Sequence, residues 1–138
     1  MYLFQPADRL ARGLDQVAAD RILRHRQFIQ TQQMPDGGFR GREGESDLYY
    51  TGFAVRALAV SGGIDDKTRD AVGSFLEPTD PLRLNVIDLL SWLYSALVVQ
   101  AAGGQAPPFP QEHSFVAFQT LYAQETSKTK RSNQCASY

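Results

Sequence analysis

Cysteine is nearly absent from this 138-residue chain: Cys135 is the only one. No disulfide framework can be drawn, and an intracellular setting, the cytoplasm, is expected. Excess charge of either sign is missing too. Fourteen Lys and Arg stand against fifteen Asp and Glu, a net charge of −1. That balance supplies no general attraction to nucleic acid or to an anionic membrane. The opening Met-Tyr-Leu-Phe-Gln-Pro lacks the basic stretch and long apolar core of a signal peptide. No transmembrane segment is expected. The most apolar stretch, residues 86–102, contains Asp88 and Gln100, and its uninterrupted part is shorter than the ~20 residues a bilayer needs. His25, His113 and Cys135 are scattered without metal-ligand spacing. The Gly-x-Ser-x-Gly elbow, the P-loop and the Cys-x-x-Cys pair do not occur.

What is present is helical periodicity punctuated by glycine. The stretch from residue 32 to 63 organises the rest. Pro35, Gly37 and Gly38 stop one helix, because proline lacks a donor and glycine takes positive φ. A second helix is predicted over residues 47–60, apolar almost all round and closed by Gly62 and Gly63. Before it, residues 7–33 read as a short first helix and a longer one ending near Gln33. Gly13 weakens the segment, and Asp20 is placed to cap the fresh start. Asp65 and Asp66 open the next helix, to about Glu77, and Pro78 and Pro81 bracket a turn. Asn85 and Asp88, three apart like a capping box, start the last long helix, which Gly103 and Gly104 close.

The two most apolar helices superpose. Gly62 and Gly103, Asp47 and Asp88, and Leu48 and Leu89 each stand 41 positions apart. A period of that size suits a two-helix repeat, whose units cannot bury their faces alone. The expected fold is therefore all-α, built of helical hairpins. Residues 1–104 form the repeat domain. Residues 105–124 hold a Pro-rich linker and a partial third-repeat helix, and residues 125–138 form a polar tail expected to be disordered.

The run Gln33, Asp36, Gly37, Gly38, Phe39, Gly41, then Asp47, Tyr50, Ala54, Ala57, Leu58 and Gly62, resembles the repeat of protein prenyltransferase beta subunits. Squalene cyclases carry a related repeat. The resemblance covers residues 23–63, with a fainter echo to Gly104. It implies a partial α/α toroid of about two and a half hairpins. Outer helices would lead through glycine loops (here Asp36, Gly37, Gly38 and Phe39) into inner helices whose N-terminal ends ring an isoprenoid pocket. The second loop departs from the pattern, with Pro-Thr-Asp-Pro-Leu-Arg-Leu in place of Gly-Gly-Phe. A truncated or frameshifted gene, or a boundary chosen within a longer protein, would account for the polar tail.

Arg40 and Arg42 flank Gly41 in the loop feeding an inner helix, so they are candidate ligands for a diphosphate; pairing with Glu43 or Glu45 is the plain alternative. Tyr49, Tyr50, Phe53, Trp92 and Tyr94 lie on the two inner helices. Helix packing is expected for most, and Tyr50 and Trp92, near the helix starts, for the pocket. Asp65, Asp66 and Asp70 loosely resemble an aspartate-rich magnesium motif, but capping explains them better. The family's zinc ligands (aspartate, cysteine, histidine) and the cyclases' acid motif find no match, so no cofactor is assigned. The resemblance implies transfer or binding of an isoprenoid diphosphate, in a chain without the catalytic half. A non-catalytic scaffold holding a protein or lipid tail, and a terpene-cyclase relative, are the rivals. The all-round apolar last helix implies self-association or a partner subunit.

Overall fold

The computed structural model describes residues 5–107, with side chains from residue 9 onward. Five α-helices and one 3-10 turn follow in order: α1 Gln5–Leu14, α2 Ala19–Thr31, α3 Leu48–Val60, α4 Asp66–Leu76, the turn Pro81–Arg83, and α5 Val86–Ala101. Among the described residues there is no strand, only isolated bridges of Phe39 with Gln33 and Asp47, so the chain is all-α as expected. The helix and tail expected beyond residue 107, with His113 and Cys135, lie outside the described residues.

The helix starts follow the predicted caps. Asp47 accepts from the Tyr50 N–H at 2.7 Å, Asp65 from Thr68 at 2.9 Å, and Asn85 from Asp88 at 3.0 Å. Each satisfies a backbone donor that the first turn leaves without a partner. Asp20 differs from expectation. Ala18 holds the cap position of α2 without a side-chain bond, and Asp20 lies inside the first turn, paired with Arg24 at 3.3 Å. The helix ends use the predicted glycines: Gly62, Gly63 and Gly103 all have positive φ. The offset of 41 holds at these ends, Ser61 and Ala102 being the C-caps, but fails at the starts. Asp47 caps α3, whereas Asn85, not Asp88, caps α5, which has 16 residues against 13. The extra length moves Asp88 into the first turn, where it accepts from the Asn85 side chain at 2.6 Å.

The last four helices form two successive hairpins, α2 with α3 and α4 with α5, the second pair running antiparallel: Arg69 near the start of α4 reaches the end of α5, and Leu76 at its end meets Trp92. The Arg26 guanidinium of α2 donates to the Leu58 carbonyl at the end of α3 at 3.1 Å, and Arg69 of α4 donates to the Ala102 carbonyl after α5 at 3.1 Å. Both place a cation at the negative end of a helix dipole. The hairpins meet along α3 and α5. Gly52 packs on Ser91, and Arg56 lies over the Tyr94 ring, so contacts advance together and the two helices run parallel. The core lies between them and α4: Val55, Leu58, Val72, Leu76, Trp92 and Val99 are fully buried. Burying such side chains stabilises by about 1.5–3 kcal/mol each.

Candidate functional site

The glycine loop is a structural joint before it is anything else. Asp36 accepts from the Gly38 N–H at 3.0 Å and from the Ser46 hydroxyl, while the Gln33 amide donates to the Gly37 carbonyl at 3.0 Å. Gly37 takes φ +92, and a Cβ there would lie 2.0 Å from the Ala71 carbonyl oxygen; one at Gly38 would strike the Phe75 ring at 2.6 Å. Only glycine lets the loop press this closely on α4. Phe39 then enters the core at 1% exposure, its N–H donating to the buried Thr51 hydroxyl at 2.9 Å. The four motif residues thus fasten the first hairpin to the second.

With Phe39 turned inward, the next residues turn out. Arg40 and Arg42 are exposed; the Arg40 N–H donates to the Gln32 carbonyl at 3.3 Å, but neither guanidinium makes a hydrogen bond or ion pair with the described residues, Glu43 and Glu45 included. Between them, Gly41 lies beneath Tyr50: a Cβ at Gly41 would come within 2.5 Å of the ring. Tyr50 therefore stands against the loop at the start of α3. Tyr49 meets it edge-on at 5.5 Å between ring centroids and meets Phe53 edge-on at 4.8 Å. These three rings form a row on one side of α3, and all stay exposed (43%, 43% and 53% for Tyr49, Tyr50 and Phe53). At its far end Arg56 covers Tyr94 of α5 at 4.5 Å, a cation–π contact.

Trp92, expected at the pocket, is fully buried instead, and its indole N–H donates to the Leu76 carbonyl at 3.3 Å. Trp92 lies in the second turn of α5, on the side facing α4, and stands 41 positions after Thr51, which is buried as well. Tyr49 and Phe53, expected mainly to pack, are exposed; their four-residue spacing on one helix face was the available signal. The aspartates after α3 do not converge. Asp65 caps α4, and Asp66 and Asp70 both pair with Arg69, at 2.7 and 2.8 Å. Hydrogen bonds from the Thr68 backbone, then from the Thr68 and Gln30 side chains, hold the Asp65 carboxyl below its ordinary value of 3.8, against a smaller opposing effect of burial.

No group of three or more His, Cys, Asp or Glu able to hold a metal occurs among the described residues. None of the described helices is long and apolar enough to cross a membrane. A depression lined by Arg69, Ser74, Glu77, Gly104 and Pro107 includes neither Arg40 and Arg42 nor the aromatics of α3. Compared with known proteins, the chain matches no family model, no curated protein and no solved structure.

Proposed function

We propose that this chain is a prenyltransferase-like helical-repeat protein, an arc of an α/α toroid, that binds an isoprenoid diphosphate. One observation carries the reading: the Tyr50 ring stands on Gly41, between two exposed arginines, at one end of the row Tyr50–Tyr49–Phe53. An isoprenoid diphosphate has the same division, with a dianionic head and an unsaturated hydrocarbon tail. Guanidinium forks take the phosphate oxygens. Aromatic faces and edges take the tail, whose transfer from water is favourable. The motif spacing around Gln33 and the Asp36–Phe39 loop supports the same assignment. Binding, not transfer, is the function assigned, because the sequence carries no ligand set or acid motif matching the resembled families. A cytoplasmic setting belongs to the same proposal.

Titration calorimetry on the full chain tests it with three probes: an isoprenoid diphosphate, inorganic diphosphate and the corresponding alcohol. The isoprenoid diphosphate is expected to bind tightest. Removing both arginines (Arg40→Ala with Arg42→Ala) is expected to weaken it at least about tenfold, the value of one lost charge-assisted contact. Equal binding of inorganic diphosphate would remove the tail from the reading, and no binding by any probe would end it.

A further inference from the structure

The aromatic row on α3 has an end as well as a beginning. Tyr49, Phe53 and Arg56 follow one another at intervals of four and three, so they share one stripe of the helix. Thr51, Val55 and Leu58 repeat those intervals two positions on; they are buried, and they lie on the opposite side. The stripe therefore faces away from the core. Arg56 is the only charged residue of α3, and it is exposed. Its side chain crosses to α5, where the guanidinium lies 4.5 Å from the centre of the Tyr94 ring. A cation thus stands across the groove between the two parallel helices, one turn after Phe53.

The position of that cation sets a length. A head group held at Arg40 and Arg42, beside Tyr50, fixes where a tail begins. From Tyr49 to Arg56 the helix then advances about 10 Å. An isoprene unit adds four carbon–carbon bonds to a chain, about 5 Å when extended, each bond being near ~1.5 Å. Two units fill the row. A third would lie on the guanidinium, and covering a charge with hydrocarbon removes its water without supplying a hydrogen bond in return. We propose that Arg56 ends the tail site and holds it to two isoprene units, a ten-carbon tail. The Tyr94 ring keeps the guanidinium in place from the α5 side. This inference rests on the binding reading above and adds a length to it, with Arg56 as the specificity-determining residue.

Titration calorimetry on the full chain tests it with isoprenoid diphosphates of five, ten and fifteen carbons, circular dichroism being the folding control. In the wild type, affinity is expected to rise at least about tenfold from five to ten carbons, and no more than about twofold from ten to fifteen. Arg56→Leu replaces the cation by more apolar surface, so its step from ten to fifteen carbons should grow to about tenfold with helix content retained. Arg56→Lys should keep the wild-type plateau, because the positive charge sets the limit. Wild-type affinity that climbs as steeply from ten to fifteen carbons as from five to ten overturns the proposal and leaves the binding reading standing. A folded Arg56→Leu protein that keeps the plateau, or an Arg56→Lys protein that loses it, also overturns it. Failure of all three diphosphates to bind the wild type removes the binding reading, and the length limit with it.

Discussion

Ala71 presents its carbonyl oxygen to Gly37 so closely that a methyl group added at Gly37 would lie 2.0 Å from it. Backbone against backbone leaves no side chain to swing aside, so the contact must open for anything larger than hydrogen. This one approach joins the glycine loop of the first hairpin to α4, the first helix of the second.

Gly37→Ala is therefore expected to destabilise by roughly 3 kcal/mol or more, combining backbone strain with overpacking. Gly44 is the matched control: it also has positive φ, +95, but nothing within 4 Å of an added Cβ. Gly44→Ala should cost only about 1–2 kcal/mol, the conformational part alone. Urea unfolding of both variants separates the two contributions. Equal losses would show that the Ala71 contact does not matter.

Two phenylalanines should divide stability from binding. Phe39 is buried, so Phe39→Ala is expected to cost about 3–5 kcal/mol. Phe53 is half exposed, and Phe53→Ala should stay within about 0.5 kcal/mol of the wild type. The second variant should nonetheless weaken isoprenoid diphosphate binding. Thermal melts and the ligand titration, run on both, check the division.

Trp92 is the single tryptophan and is fully buried, so fluorescence reads the core directly. Its emission is expected to be blue-shifted from that of free tryptophan and poorly quenched by acrylamide. Saturating isoprenoid diphosphate should leave both unchanged. A large ligand-induced shift would mean that Trp92 lies at the site after all.

Asp65 sets an acid limit on α4. Its carboxyl titrates below the ordinary 3.8 in the folded chain, so the unfolded chain takes up the proton first as pH falls. The stabilisation is fully present above 3.8 and is lost as pH drops through the lower folded value. Asp65→Ala should cost about 1 kcal/mol at neutral pH, and Asp65→Asn, which still caps, much less. Denaturant melts from neutral to acidic pH should show the Asp65→Asn protein losing less stability at the acid end.

How much of this was legible in the sequence depends on the kind of signal. Asp47, Asp65 and Asn85 announce helix starts because a short polar side chain can close the first turn by itself. Gly62 and Gly103 announce helix ends because few other residues adopt their backbone angles. Those signals are local and survive without knowledge of the fold. The direction of Trp92 is not local. An apolar helix such as α5 gives no polar face to orient it, and nearness to the helix start, on which the prediction leaned, does not say which side of the helix a residue takes. Tyr49 and Phe53 posed the same problem in reverse: an aromatic residue states its size, not which neighbour will be absent. The exposure of Arg40 and Arg42 was legible only as a consequence of Phe39 being drawn inward.

Arg26 and Arg69 repeat one arrangement, each fastening the first helix of a pair to the end of the helix that follows it. Each hairpin thus carries its own latch, and neither latch crosses the junction between hairpins. A duplicated hairpin inserted after Gly63 would bring its latch with it and leave both existing ones closed. The number of hairpins is then a quantity that gene duplication or loss can change in whole steps, without rebuilding the units that remain.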